Sequence, residues 1–172
     1  MTKTGFSATC TCGEVALTAS GAPILSAVCY CESCRKAGRH FEQAPGAPSV
    51  VNADSGVEYC LFRKDRVKVA RGGQHLQEHR LTAASPTRRI VATCCNAPMF
   101  VDFTKGHWLT LYRDRLPADA PPVELGVMGK DLPAGATPAK DIPTYSTFSP
   151  MAIVRLLAAW AAMGFRRPKT TW

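Results

Sequence analysis

The chain has 172 residues, of which 46% are apolar and 20% are charged. These values predict a folded domain with a hydrophobic core and exclude an intrinsically disordered chain. No apolar run reaches the roughly 18 residues that a membrane-spanning helix needs, and the N-terminus lacks the apolar segment of a secretory signal. The formal net charge of +8 favours anionic partners, but alone it is a weak argument for nucleic-acid binding.

Short segments with strand-like alternation of apolar and polar residues follow one another as far as residue 113. The predicted strands are 14–20, 24–31, 57–62, 67–71, 88–92, 99–103 and 108–113, while 75–82 suits a strand or a short helix. Gly72-Gly73 predicts a hairpin turn. Because no long helices alternate with these strands, the pattern favours a mostly β domain with antiparallel sheets over a βαβ fold.

The composition changes after Leu116. Seven of the 13 prolines fall between Pro117 and Pro150, and proline and glycine are expected to exclude regular elements there. The sequence therefore predicts three parts: a β domain over 1–116, a Pro/Gly/Ala-rich wrapping segment over 117–148, and a helix with a basic tail over 149–172.

Ser149-Pro150 starts the predicted C-terminal helix, because serine is a good N-cap residue and proline suits the first turn. The apolar run that follows continues to Gly164, a predicted C-terminal cap. Arg155 is the only charged residue of this helix. A helix that is apolar on nearly all sides is predicted to be buried, to lie on a membrane surface, or to dock on a partner, for example in a homodimer.

Apart from Cys60, the eight cysteines stand in the close spacings that bring thiols to one side of a turn. The groups are Cys10-Thr-Cys12, Cys29-Tyr-Cys31-Glu-Ser-Cys34 and Cys94-Cys95. These spacings favour metal ligation over a disulfide framework, which is usual in short secreted chains. Thiolates are soft ligands, so zinc is the expected metal. A cytoplasmic location is expected, because a reducing compartment keeps cysteines as thiols or metal ligands.

The middle group has the chemistry of a catalytic metal site. Cys29 and Cys31 are two residues apart in the predicted strand and so share a face, and Cys34 returns through a tight turn. Three thiolates leave one position of a tetrahedral zinc ion open, as in catalytic sites. A thiol that enters this position loses its proton near neutral pH. His40 is a further candidate for the fourth position.

The three cysteine groups, in this order, resemble the glutathione-dependent formaldehyde-activating enzyme family, which includes centromere protein V-like proteins. The most specific motif is the middle one, in which Cys29-Tyr-Cys31-Glu-Ser-Cys34 continues as Arg-Lys-Ala-Gly. The resemblance spans roughly residues 6–112. It implies several coiled antiparallel β-sheets and two zinc ions. Cys10, Cys12 and Cys95 match the ligands of a structural zinc, and Cys29, Cys31 and Cys34 match those of the second zinc.

The sequence departs from the family pattern at one structural ligand. The first cysteine of the family's C-x-x-C motif is Ala92 here, and the glycine after its second cysteine is Asn96. Asparagine tolerates a left-handed backbone, so the second change is mild. Two outcomes stay open for the first: Cys94 replaces the lost ligand, or the site rearranges and borrows a middle cysteine, which leaves one zinc.

The resemblance also implies a reaction, the attack of glutathione thiolate on formaldehyde to give S-(hydroxymethyl)glutathione. The chain would then be a carbon–sulfur lyase in which Cys29, Cys31 and Cys34 act through zinc. The residues expected to hold the carboxylates of glutathione are Arg35, Lys36, Arg88 and Arg89.

The alternative hypothesis is a non-catalytic binding module that zinc only stabilises. Its candidate surfaces are the basic stretch 63–68 and the C-terminal helix with its tail. A charge run is more often a solvated face than a nucleic-acid site, so nucleic acid is not the expected partner.

Overall fold

Ten β-strands and two α-helices form between residues 5 and 172, the part of the chain that this computed structural model describes. Residues 1–4, which belong to the predicted β domain and to the stretch examined for a signal, lie outside the described residues. The strands are β1 (Gly5–Thr9), β2 (Ala16–Ser20), β3 (Leu25–Cys29), β4 (Val57–Arg63), β5 (Val67–Arg71), β6 (Leu76–His79), β7 (Thr87–Ala92), β8 (Ala97–Phe103), β9 (Trp108–Tyr112) and β10 (Leu125–Val127). The helices are α1 (Glu32–Phe41) and α2 (Pro150–Ala161).

The strands form a three-stranded sheet in the order β1-β2-β5 and a seven-stranded sheet in the order β10-β3-β4-β9-β8-β7-β6. Strand pairs are antiparallel except β10 with β3, which is parallel. The predicted mostly β, antiparallel fold with a C-terminal helix is therefore confirmed.

The prediction of a hairpin turn at Gly72-Gly73 is wrong. The strand before it, β5, pairs with β2 in the small sheet, and the strand after it, β6, pairs with β7 in the large sheet. Gly72 has a φ of 71°, a left-handed conformation that glycine adopts without strain. The turn thus carries the chain from one sheet to the other.

The large sheet buries both of its faces. Along β4, Cys60 and Phe62 point into a core that is shared with Leu17 of the small sheet. Tyr59 and Leu61 point the opposite way, into a second core, because successive strand residues face opposite sides. Helix α2 covers this second core.

Helix α1 was not predicted, since the sequence was interpreted as a strand to residue 31 and then a tight turn. The strand ends at Cys29, and Cys31 becomes the N-cap of the helix, where its sulfur accepts a hydrogen bond from the Cys34 N–H at 3.4 Å. An acidic residue, Glu32, lies in the first turn, as the helix dipole favours. It also pairs with Lys36 at 2.8 Å. The thiols of the middle group therefore lie at a helix N-terminus.

The segment 117–148 contains a strand, which corrects the expectation that proline and glycine exclude regular elements there. Strand β10 pairs with β3, so that Val127 lies opposite Cys29. The backbone of Gly126 is also held by Pro143 and Tyr145, through hydrogen bonds of 2.8 and 2.9 Å. No proline falls within the run Leu125–Val127, which leaves its N–H groups free to pair.

Helix α2 begins as predicted, with the Ser149 hydroxyl accepting a hydrogen bond from the Ala152 N–H at 3.0 Å and Pro150 in the first turn. Of the three alternatives predicted for this apolar helix, burial within the chain does not occur, because only Ala152 is buried and residues such as Val154 are more than half exposed. His107 anchors the inner side through a 2.8 Å hydrogen bond to a backbone carbonyl of the helix. Within residues 5–172, no helix is both long and apolar enough to cross a membrane.

Candidate metal centres and the adjoining pocket

Four thiols, of Cys10, Cys12, Cys94 and Cys95, gather with their sulfur atoms all within 4.8 Å of one another. The Cys12 and Cys94 sulfurs are 3.4 Å apart, and that of Cys10 lies 3.5 Å from Cys12 and 3.8 Å from Cys94. Four converging sulfurs are the donor set that tetrahedral zinc prefers. We call these residues the four-cysteine cluster.

Two turns build the four-cysteine cluster. Between β1 and β2, the Gly13 N–H bonds to the Cys10 carbonyl at 3.1 Å, with Gly13 at a φ of 84°. Between β7 and β8, the Cys95 N–H bonds to the Ala92 carbonyl at 3.3 Å. Asn96 follows with a φ of 54°, the left-handed conformation expected from its place in the family motif. Ala92 itself is buried in the core.

This geometry bears on the two outcomes left open by the substitution at Ala92. The turn brings both Cys94 and Cys95 to Cys10 and Cys12. The middle cysteines form a separate group and contribute no sulfur to this one. The arrangement therefore fits Cys94 as the replacement ligand without a borrowed middle cysteine.

The acid–base properties of the four-cysteine cluster fit a cation. Burial alone would raise the pKa of Cys10, but hydrogen bonds from the Val15 N–H and the neighbouring thiols lower this pKa to about 7. The pKa of Cys94 is raised by burial and by the sulfurs of Cys12 and Cys10. Closely spaced thiols cannot all ionise together, and a divalent cation removes this conflict by replacing their protons.

The second group, which we call the three-cysteine cluster, joins the end of β3 to the start of α1. The sulfur atoms of Cys29, Cys31 and Cys34 lie within 4.8 Å of one another, and no described His, Asp, Glu or fourth Cys joins them. The Cys31 sulfur is also 3.2 Å from the Ser33 hydroxyl. Three thiols without a fourth side-chain ligand are the donor set of an open zinc site.

Protons are unevenly held in the three-cysteine cluster. Hydrogen bonds from Cys29 and Cys34 lower the pKa of Cys31 to about 2. Hydrogen bonds with Cys31 and Cys34, together with burial, raise the pKa of Cys29. For Cys34, a hydrogen bond from Cys29 lowers the pKa, but Cys31 and burial outweigh it and raise the pKa to about 11. The neighbouring sulfurs therefore oppose ionisation of all three thiols at once, and a bound cation would relieve this repulsion.

His40 does not complete the three-cysteine cluster. Its ring stacks on that of His79, with 4.6 Å between the ring centroids. This places His40 at the far end of α1 from the cluster, because Cys31 caps the start of the helix.

The four basic residues predicted to hold carboxylates lie in different surroundings. The Arg35 guanidinium donates to the Tyr30 carbonyl, and buried Arg89 donates to the Ser33 carbonyl at 3.2 Å. Arg88 pairs with Asp102. The side chain of Lys36 is 66% exposed. Arg35 and Arg89 therefore brace the loop that carries the three-cysteine cluster.

A pocket of about 150 Å³ adjoins the three-cysteine cluster and is bordered by Cys29 and Cys34. Its floor is the face of the large sheet that borders the second core, with side chains such as Leu61 and Val101. Helix α2 closes one side through Ala152 and Leu156, and the remaining lining residues are Leu25, Ala27, Tyr59, Trp108, Thr110, Val127 and Phe148. Sequence reasoning missed this pocket, since it depends on strand pairing and on the docking of α2.

Tyr59 lines this pocket. Its hydroxyl is fully buried and interacts with the Cys34 thiol. Burial, reinforced by the charge of the Cys34 thiolate, raises the pKa of Tyr59 well above its ordinary value. The group therefore remains a neutral hydrogen-bond donor around neutral pH. Its ring lies 5.0 Å from that of Tyr112.

Comparison with known proteins addresses the resemblance seen in the sequence. The sequence profile of the family described as glutathione-dependent formaldehyde-activating enzyme matches residues 5–113. The chain belongs to this family. The matched stretch contains both cysteine clusters, whereas β10 and α2 lie beyond it.

Among solved structures, the crystal structure of a Rhodobacter sphaeroides protein is similar to this chain at 15% sequence identity and a TM-score of 0.48. The similarity covers 81% of this chain and 99% of that one. No curated protein sequence matches the chain.

Proposed function

We propose that the three-cysteine cluster holds a catalytic zinc ion at which a thiol adds reversibly to an aldehyde, so that the chain acts as a carbon–sulfur lyase. The observation that carries this proposal is the set of three converging thiols, without a fourth side-chain ligand, at the edge of a pocket. When bound, zinc supplies the positive charge that keeps an added thiol ionised near neutral pH.

The protein's own groups would position the reactants. Arg35 donates to the Tyr30 carbonyl in the loop between β3 and α1, and Arg89 donates to the Ser33 carbonyl in the first turn of α1, which fixes the three sulfurs. The apolar walls of the pocket exclude water, and this strengthens electrostatic interactions inside it.

The four-cysteine cluster has the closed donor set of a structural site. We propose that it binds a second zinc ion through Cys10, Cys12, Cys94 and Cys95. This ion would join the β1–β2 turn to the β7–β8 turn, which are distant in sequence. Each chain would then bind two zinc ions.

Glutathione is the thiol that the family description names, and we propose it as the thiol for this chain. Of the four basic residues, Lys36 is the most available for a carboxylate, because its side chain is exposed and lies on the same helix as Cys34. A cytoplasmic location would supply both glutathione and the reducing conditions that keep the thiols free.

One observation favours a binding role in addition. The outer face of α2 exposes Met151, Ile153, Val154 and Leu157, and contiguous exposed apolar residues often mark interaction sites. A homodimer through this face stays a prediction. Light scattering on Val154→Lys tests it: a dimer should become monomeric, and a wild-type monomer would contradict it.

The proposed function is tested by metal content and by cobalt spectroscopy. Native mass spectrometry should find two zinc ions per wild-type chain and one in Cys31→Ser. In cobalt-substituted wild-type protein, glutathione should change the sulfur-to-cobalt charge-transfer spectrum, because a fourth sulfur enters the coordination sphere. Cys12→Ser is the matched control, since it alters only the four-cysteine cluster and should keep this response. A cobalt spectrum that glutathione leaves unchanged would refute the proposal.

A further inference from the structure

The pocket beside the three-cysteine cluster has the properties of a site for a hydrocarbon group. None of its lining residues carries a charged side chain. Apolar cavities of about 150 Å³ hold one benzene-sized molecule and exclude water. The pocket's volume of about 150 Å³ therefore matches an apolar group of one ring or an equivalent short chain.

The lining residues with polar side chains include Thr110, Cys29 and Cys34. The Tyr59 hydroxyl is buried against the Cys34 thiol, so Tyr59 contributes its ring to the apolar wall.

The elements that close the pocket lie outside the stretch that matches the family. Val127 comes from β10, and Ala152 and Leu156 come from α2, all beyond residue 113. Formaldehyde has no substituent to fill this space. The charged ends of glutathione would meet only apolar walls, and burying unpaired charges there is unfavourable.

On the basis of the proposed function, we infer that the carbonyl substrate is an aldehyde with an apolar substituent of about one ring, seated in this pocket with its carbonyl group at the three-cysteine cluster. The thiolate sulfur forms a bond to the carbonyl carbon, and the π electron pair of the C=O bond moves to the oxygen. That oxygen takes up the proton which the thiol had released. The product is a hemithioacetal, and the reverse reaction breaks the carbon–sulfur bond without any oxidant or reductant.

A binding experiment tests the pocket without relying on turnover. Zinc-loaded full-length protein is titrated calorimetrically with 2-phenylethanol, an unreactive analogue with a ring and an oxygen, and with ethanol. 2-Phenylethanol should bind at least about tenfold more tightly than ethanol, since burial of its ring adds apolar contact and each 1.4 kcal/mol is a factor of ten in affinity. Equal binding of the two alcohols would overturn the inference.

Matched variants locate the binding site. Ala152→Leu fills the pocket and should weaken 2-phenylethanol binding, whereas Leu156→Ala enlarges the pocket and should extend binding to two-ring alcohols. The control Leu157→Ala changes the exposed side of the same helix and should have no effect. Equal binding of 2-phenylethanol to the wild type and to Ala152→Leu would contradict this location.

The substrate preference is then measured with glutathione as the thiol, by the ultraviolet absorbance of hemithioacetals. Phenylacetaldehyde should have a higher kcat/KM than formaldehyde. A preference for formaldehyde would overturn the inference. Failure of the proposed function is distinguishable, because glutathione would then leave the cobalt spectrum unchanged while 2-phenylethanol still bound. The opposite pattern, a glutathione response without 2-phenylethanol binding, would reject the aldehyde pocket alone.

Discussion

Replacement of Cys94 by alanine tests whether this residue supplies the ligand missing at Ala92. Structural zinc contributes about 10–16 kcal/mol to the folding of small zinc domains. If the four sulfurs contribute equally, removal of one costs about 2.5–4 kcal/mol, which corresponds to a loss of zinc affinity of roughly 70-fold to 900-fold. For a chain of this size the melting temperature should fall by roughly 5–16 °C.

The assay is competition with a metal chelator, combined with zinc counting by native mass spectrometry. Cys94→Ala should release one zinc ion at low chelator concentration and keep the other. Cys60→Ala is the matched control, since Cys60 is a fully buried core residue that belongs to neither cluster. If Cys94→Ala kept both zinc ions at wild-type affinity, Cys94 would not be a ligand, and a site rearranged around a middle cysteine would have to be reconsidered.

Two further predictions concern buried charges. Asp102 is fully buried and pairs with Lys64 at 2.8 Å. Burial raises the pKa of Asp102, but hydrogen bonds from Lys64, Thr170 and Arg88 outweigh burial and lower this pKa overall. The Asp102 carboxylate therefore stabilises the fold at neutral pH. This stabilisation is lost as the pH falls through the lowered pKa. Asp102→Asn should cost about 3–5 kcal/mol at pH 7 by urea unfolding, and the difference from wild type should shrink in acid; a constant difference would contradict this. Arg89→Met should lower the zinc affinity of the three-cysteine cluster alone, by about tenfold in chelator competition, as loss of supporting contacts typically does. An equal loss of affinity for both zinc ions would argue for general destabilisation.

The sequence was informative where chemistry is local. Thiols two or three residues apart lie close together, so spacing alone groups Cys29, Cys31 and Cys34. The joining of Cys10 and Cys12 to Cys95 was implied only by the family resemblance. Alternation identified strands such as β4 and β9 to within one residue. The cap of α2 at Ser149 was also local, because it depends on one serine and the proline that follows it.

Other features depend on partners that are distant in the chain. Helix α1 has only Ala37, Gly38 and Phe41 buried, too few to give a periodic apolar signal. Its start depends on Cys31 acting as an N-cap, a role that cysteine seldom has in sequence patterns. The passage at Gly72 from one sheet to the other was equally hidden, since a glycine turn does not reveal which strands its neighbours pair with.

The position of Cys94 shows why spacing alone could not decide the metal site. Adjacent side chains normally point in different directions, so a vicinal pair is a poor substitute for a C-x-x-C motif on any regular strand. The turn after β7 overcomes this, because the chain leaves its extended conformation there and passes through the left-handed Asn96. If Cys94 completes the closed site, the loss at Ala92 needs no sulfur from the middle group. Cys29, Cys31 and Cys34 then keep an open position beside the pocket, which is the condition that the proposed chemistry requires.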